Sequence, residues 1–291
     1  MDGGRIRVTI WYEFTQESGY LRRDLVSPDI SDEDFRHFQE TTRISSEKIK
    51  EVYPDGLAGT IAAYLGQNDV LEIRVSTLYD EGFGLSDEIL DNTDVLIYWA
   101  HISHDTVPDE AAARVVRRIQ SGMGFVCLHS GHLSKVFRMI LGGTGTLSWR
   151  EGDFCRVWTV SPAHPIAKGI PASFDLEEEE MYGEPFDVPK PDDLVFASWF
   201  RGGELFRSGM TWTRGYGKIF YFQPGHETSP SYHNENVLKI IENAVLWARP
   251  SVWREDFDCP NAAVRAEERT RQQRSGETAE EADKACKQEN K

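Results

Sequence analysis

Five of the eight histidines of this 291-residue chain follow directly on segments that read as strands. DVLIYWA (94–100) leads into His101, with His104 three residues further on. GFVCL (124–128) leads into His129-Ser130-Gly131-His132, and KIFYF (218–222) runs through Gln223-Pro224-Gly225 into His226-Glu227. In an open parallel sheet, ligands bind just beyond the carboxyl ends of the strands. Imidazole placed there can ligate a metal or act as a general base. Taken singly, each histidine is as well explained by a backbone hydrogen bond at the start of a loop. Taken as a set, they predict one histidine centre. The expected metal ligands are His101, His129 and His226 with His104 in reserve, and the expected ion is zinc or another divalent metal. His129 and His226 are the expected catalytic histidines.

LHSGH has the pattern of a nucleophile elbow, a short apolar strand, a tight turn and a helix. The turn carries His129 and Ser130, with Gly131 as the permissive residue, and Ser130 and His132 are expected to touch substrate. Cys127 lies two residues earlier on the strand, where it should pack in the core. A cysteine hydrolase using Cys127 nevertheless stands as an alternative reading. A second alternative is a non-catalytic binding protein. The run 175–180 (DLEEEE) reads first as a solvated face. Trp11, Trp99, Trp149, Trp199 and Trp212 suit stacking on a ring-shaped ligand, although tryptophan is more often core or rim. His164 precedes a proline and should shape a turn. The glycine-rich stretch 142–145 does not follow a strand, so no nucleotide site is indicated.

The elements that must position these residues alternate in type. Residues 5–11 read as the first strand, and 13–44 as a polar insertion or lid. A helix is expected from Ser45, capped by Ser45 or Ser46 and interrupted near Pro54. Strands at 70–78, 94–100 and 124–128 alternate with helices at 86–92, 109–121 and 134–141. That alternation implies a mostly parallel sheet covered on both faces. Residues 154–160, 194–199 and 218–222 are strand-like and separated by turns, and 236–248 is an apolar-periodic helix. The expected organisation is one α/β domain over 1–250 and a polar tail over 251–291, disordered or a solvated helix.

Composition narrows the function classes. The net charge is −16, which disfavours phosphate backbones and anionic lipid as partners. No apolar run approaches the roughly 20 residues of a membrane span, and the N-terminus shows no signal-peptide pattern. The expectation is a cytoplasmic protein with a neutral or cationic small molecule as ligand, homo-oligomerisation being allowed. The four cysteines are far apart, without a CxxC pair, which argues against a disulfide framework or a thiolate metal site.

Several segments together resemble the ThuA family of trehalose-utilisation proteins. They are VTIWYEF, VYPDGLAGTIAAYL, DVLIYWAHISHD, GFVCLHSGHLSK, AHPIAKGI, EEEEMYGEPF, SWFRGGELFRSG and GKIFYFQPGHE, and the resemblance they carry covers roughly residues 6–250. Tyr12 departs from the pattern, which has asparagine before Glu13-Phe14. The resemblance implies a flavodoxin-like three-layer sandwich of the class I glutamine amidotransferase type. Those amidotransferases place cysteine at the elbow turn and use a later histidine followed by an acidic residue. His226-Glu227 matches the later pair, but His129 occupies the cysteine position, so thiol amidotransferase chemistry is not expected. The family's acidic pair before a tyrosine matches Glu179, Glu180 and Tyr182. It implies a catalytic Glu180, with Tyr182 and Glu227 as substrate-binding residues. The implied role lies in trehalose or sucrose catabolism, as a lyase, isomerase or hydrolase acting on 3-keto-glycosides beside a sugar oxidoreductase, or alternatively as a non-catalytic carbohydrate- or partner-binding protein serving a sugar dehydrogenase.

Overall fold

The computed structural model describes residues 4–23, 26, 30–254 and 262–275. The chain divides into two units, Met1–Arg254 and Glu255–Lys291. The first begins with β1 (Ile6–Tyr12), α1 (Thr15–Ser18), α2 (Asp32–Val52) and α3 (Leu57–Leu65). It continues through β2 (Leu71–Thr77), α4 (Asp87–Asp91), β3 (Val95–Trp99), α5 (Asp109–Ser121), β4 (Gly124–Leu128) and α6 (Lys135–Leu141). Four strands follow without an intervening α-helix: β5 (Ser148–Thr159), β6 (Ser173–Gly183), β7 (Asp193–Phe200) and β8 (Leu205–Arg214). The unit closes with β9 (Gly217–Phe222) and α7 (Glu235–Ala248).

All nine strands form one sheet in the order β2-β1-β3-β4-β9-β8-β7-β5-β6. The pairings from β2 to β9 are parallel and those from β9 to β6 antiparallel, four of each. The expectation of a mostly parallel sheet is therefore corrected. Parallel neighbours need long crossovers, which the helices between β1 and β4 provide, whereas strands joined by short turns pair antiparallel. Two strands were not anticipated, β6 and β8. In β6 the charge run hid the strand, because Glu177 and Glu178 are exposed while Glu179 and Glu180 are buried.

The segment 13–44 is also corrected: it is not an irregular insertion throughout. Helix α2 starts at Asp32, capped by the Ser31 hydroxyl accepting from the Asp34 N–H at 3.0 Å. Asp32, Glu33 and Asp34 fill its first turn, where acidic groups complement the helix dipole. Its sparse apolar stripe concealed these first turns; Thr42, Ser46 and Ile49 are its buried residues. Helix α2 ends before Pro54, as the sequence indicates, and Ser86 caps α4 through the Ile89 N–H.

The core is deepest where β3 and β4 lie between β1 and β9. Every residue of VLIYW and GFVCL is buried, and Trp11 stacks on Tyr98 at 4.2 Å between ring centres. Burial of a side chain such as Phe125 contributes about 1.5–3 kcal/mol. Among the described residues, no helix is long and apolar enough to cross a membrane. The second unit contains α8 (Ala266–Ser275), a polar helix exposed through Arg271. The remainder of the expected tail, 255–261 and 276–291, lies outside the described residues.

Candidate active site

The parallel half of the sheet aims β3, β4 and β9 at one place, and each ends in a loop carrying a histidine. Strand β6 supplies an acid from the antiparallel half. One ligand atom from each of His101, His129, Glu180 and His226 lies within 4.8 Å of the others, a set able to hold a metal ion. The three imidazole rings stand 5.0–5.5 Å apart between centres.

His129 adopts φ 51°, unusual for a residue with a Cβ, at the turn after β4. Its Nδ1 lies 3.1 Å from the Gln223 carbonyl and donates to it, which turns Nε2 toward the cluster. That Nε2 is 3.0 Å from Glu180 Oε2, although the pair is not aligned as a hydrogen bond. His101 Nδ1 contacts Gln16 Oε1 at 2.8 Å and Glu227 Oε1 at 3.1 Å. Burial alone would depress its pKa, but the carboxylates of Glu227, Glu180 and Glu13 outweigh that and raise it to about 9. His226 is lowered to about 4 by burial, with His129 and His101 adding to the effect against Glu227. Its Nε2 is buried without a hydrogen-bond partner.

Two further carboxylates fix the loops. Glu13, at the end of β1, accepts the backbone N–H groups of His101, Ile102 and Ser103 at 2.8–3.1 Å. Glu179 accepts those of Gly225 at 2.8 Å and His226 at 3.1 Å, and also the Ser231 hydroxyl. Burial raises both pKa values, and these hydrogen bonds oppose it. Glu13 is a functional residue that the sequence reading misses. The available signal was a glutamate directly beyond the carboxyl end of a strand.

The remaining predicted residues surround this cluster in different ways. Tyr182 stacks on His129 at 5.3 Å between ring centres, its hydroxyl 3.4 Å from Nε2. Burial, then Glu180, keeps its phenol protonated by raising its pKa well above the ordinary value. Ser130 faces the cavity but donates its hydroxyl to the Ala100 carbonyl at 3.1 Å. His132 Nδ1 is held by the Gly145 carbonyl at 2.7 Å, and burial lowers its pKa to about 3. Glu227 is buried against His101; burial would raise its pKa, but the histidines hold it well below the carboxylate range. His104 is not brought into the four-residue group; both its ring nitrogens are buried without a hydrogen-bond partner.

Cys127 is fully buried on β4, and burial pushes its thiol well up. The cysteine-hydrolase reading is therefore corrected, because a protonated thiol sealed in the core cannot attack substrate. Of the tryptophans, Trp11, Trp99 and Trp212 are core residues, and Trp199 packs near Phe154. Trp149 alone among the five lines the cavity above the cluster, a space of about 460 Å³. Its other walls include His101, Ile102, Leu133, Leu147 and Glu151.

A model of the ThuA family, described as trehalose utilisation, matches residues 33–248. Among curated proteins, no sequence matches significantly. A ThuA-like protein from Parabacteroides merdae is similar in structure, with TM-score 0.56 and 14% identity over 88% of this chain and 100% of that one. A ThuA-like protein from Bacteroides uniformis gives TM-score 0.52 and 15% identity over 85% and 92%. A cytoplasmic protein from Salmonella typhimurium gives 0.51 and 13% over 67% and 88%. At these identities the structural likeness establishes the fold alone.

Proposed function

The chain belongs to the ThuA, or trehalose-utilisation, family, and from that premise we propose that it acts on 3-keto-glycosides at a divalent metal held by His101, His129, Glu180 and His226. The observation that carries the reading is the convergence of three imidazoles and a carboxylate, of which His101 and Glu180 line the cavity. Three nitrogens and one oxygen suit zinc and neighbouring divalent ions. The surroundings fit such an ion. His129 Nδ1 is committed to a carbonyl, and His101 Nδ1 to Glu227 and Gln16. His226 Nδ1 is held by the Thr228 hydroxyl at 2.9 Å and by the Thr228 N–H, which donates to it at 3.3 Å. These anchors are the outer hydrogen bonds that orient ligating histidines. Glu180 Oε2 and His226 Nε2 are buried without hydrogen bonds, as ligand atoms awaiting an ion would be.

A ketone at C3 acidifies the C2–H bond, so loss of that proton can expel the glycosidic oxygen from C1. The C2–H and C1–O bonds break, the C1–C2 double bond forms, and the departing oxygen takes a proton. When bound, the divalent ion supplies Lewis acidity that polarises a carbonyl oxygen. Burial would raise the Glu180 pKa, but His129, His226 and His101 hold it low, so the group is an ionised acceptor for a proton. Tyr182, kept protonated, is the donor beside it. Such a substrate must be made by a sugar oxidoreductase that oxidises the C3 hydroxyl. The parallel half of the sheet, ordered β2-β1-β3-β4-β9, supports a flavodoxin-like reading of that half.

Elemental analysis of the purified protein, with 3-keto-trehalose consumption measured in parallel, tests the reading. The expected result is about one divalent ion per chain, lost in His129→Ala together with at least a hundredfold of turnover. Metal-free protein with no turnover of a 3-keto-glycoside, with or without added metal, rejects it.

A further inference from the structure

The residues that line the cavity differ in polarity with their burial. The most buried, taken as the inner wall, are polar: Glu180, His132, Ser130 and Tyr182, with the half-buried His101. The more exposed, taken as the outer wall, are Ile102, Leu133, Leu147 and Trp149, with Thr146 and Glu151 as the polar groups. Trp149 is 61% exposed and Ile102 47%, so both present apolar area to whatever enters. Trp149 is held on the β5–β6 ladder opposite Tyr182, which ties its position to the site.

Hydrogen-bonding capacity at the outer wall is small. The Thr146 hydroxyl is already paired with that of Thr144 at 2.8 Å. Glu151 remains, with its carboxylate 70% exposed and 4.0 Å from His226 Nε2. A second pyranose seated there would bury several hydroxyl groups against aliphatic carbon, at a cost for each one left unpaired. A flat apolar group would instead stack on the indole face.

We propose that the outer half of the cavity seats the aglycone of the glycoside, and that the aglycone it selects is an aryl group rather than a second sugar ring. The inference rests on the 3-keto-glycoside reading and departs from the disaccharide in the family's description. It makes Trp149 the specificity residue, one that acts on the leaving-group side while the histidine–glutamate cluster handles the oxidised ring.

The test compares three probes: the 3-keto forms of methyl glucoside, trehalose and 4-nitrophenyl glucoside. Kd is measured by calorimetry for the full-length protein and for Trp149→Ala and Trp149→Phe. The expected result is aryl binding about tenfold tighter than methyl, with trehalose no tighter than methyl. That aryl-to-methyl ratio should collapse in Trp149→Ala and largely survive in Trp149→Phe. Trehalose binding as tightly as the aryl probe, or a ratio unmoved in Trp149→Ala, overturns this inference and leaves the 3-keto reading standing. Failure of all three probes to bind the metal-supplemented wild-type protein overturns both.

Discussion

His129 and the two glutamates around it show how individual residues are made to converge. The φ of 51° at His129 costs backbone strain, and the surroundings must hold it in place. The Gln223 carbonyl fixes one ring nitrogen, and Trp99 and Tyr182 stack on either side, with interplanar angles of 16° and 20°. Glu13 and Glu179 do the same for the loops of His101 and His226 through backbone N–H groups rather than through the rings. A glutamine side chain keeps the size of glutamate but turns one acceptor oxygen into a donor facing other donors. In Glu13→Gln and Glu179→Gln, zinc affinity measured against a competing chelator should fall roughly 10–100-fold while circular dichroism remains native. Unchanged affinity in both variants would show that the loops hold the histidines without these carboxylates. The histidines were legible in the sequence because each follows a strand. Glu179 and Glu180 were masked by the acidic run that contains them, since nothing local distinguishes the two buried members from Glu177 and Glu178.

At the scale of elements, the site depends on β6 crossing to the loops of the parallel half. The turn after β6 is tied down by Glu184, whose carboxylate takes the Arg207 guanidinium at 2.7 and 2.9 Å and the Phe186 N–H at 2.7 Å. Burial would raise the Glu184 pKa, but these bonds outweigh it and hold it below its ordinary 4.5. A carboxylate with a depressed folded pKa contributes stability that is present above its unfolded pKa. That contribution is lost as pH falls through the folded value. Glu184→Gln should therefore lower Tm at pH 7 by roughly 2–4 °C, the effect of about 1 kcal/mol. The gap from wild type should close as thermal scans are taken down toward pH 3. A gap that persists at pH 3 would assign the loss to packing instead of charge. The helices α4 to α7 were readable from their caps and periodicity. The first turns of α2 were not, because a polar helix with few buried residues carries little periodic signal.

Across the whole molecule, every residue of the cluster and its cavity comes from the unit that ends at Arg254. A chain ended after Arg254 should fold with an unchanged Tm and bind metal with the same stoichiometry. A Tm lowered by more than about 3 °C would give the tail a structural part. The α/β class, the parallel run of strands and the histidines at their ends were all readable from local sequence. Those features are written in local hydrophobic periodicity and in a rule about where open sheets place ligands. Folding in three dimensions decided that four antiparallel strands extend the sheet and that Glu180 completes the histidine set. It also decided that His104 stays outside the set and that Trp149, of the five tryptophans considered, faces the cavity. Those outcomes depend on pairing between segments distant in the chain. Such pairing is set by long-range packing and hydrogen bonding, which the local pattern of residues does not carry.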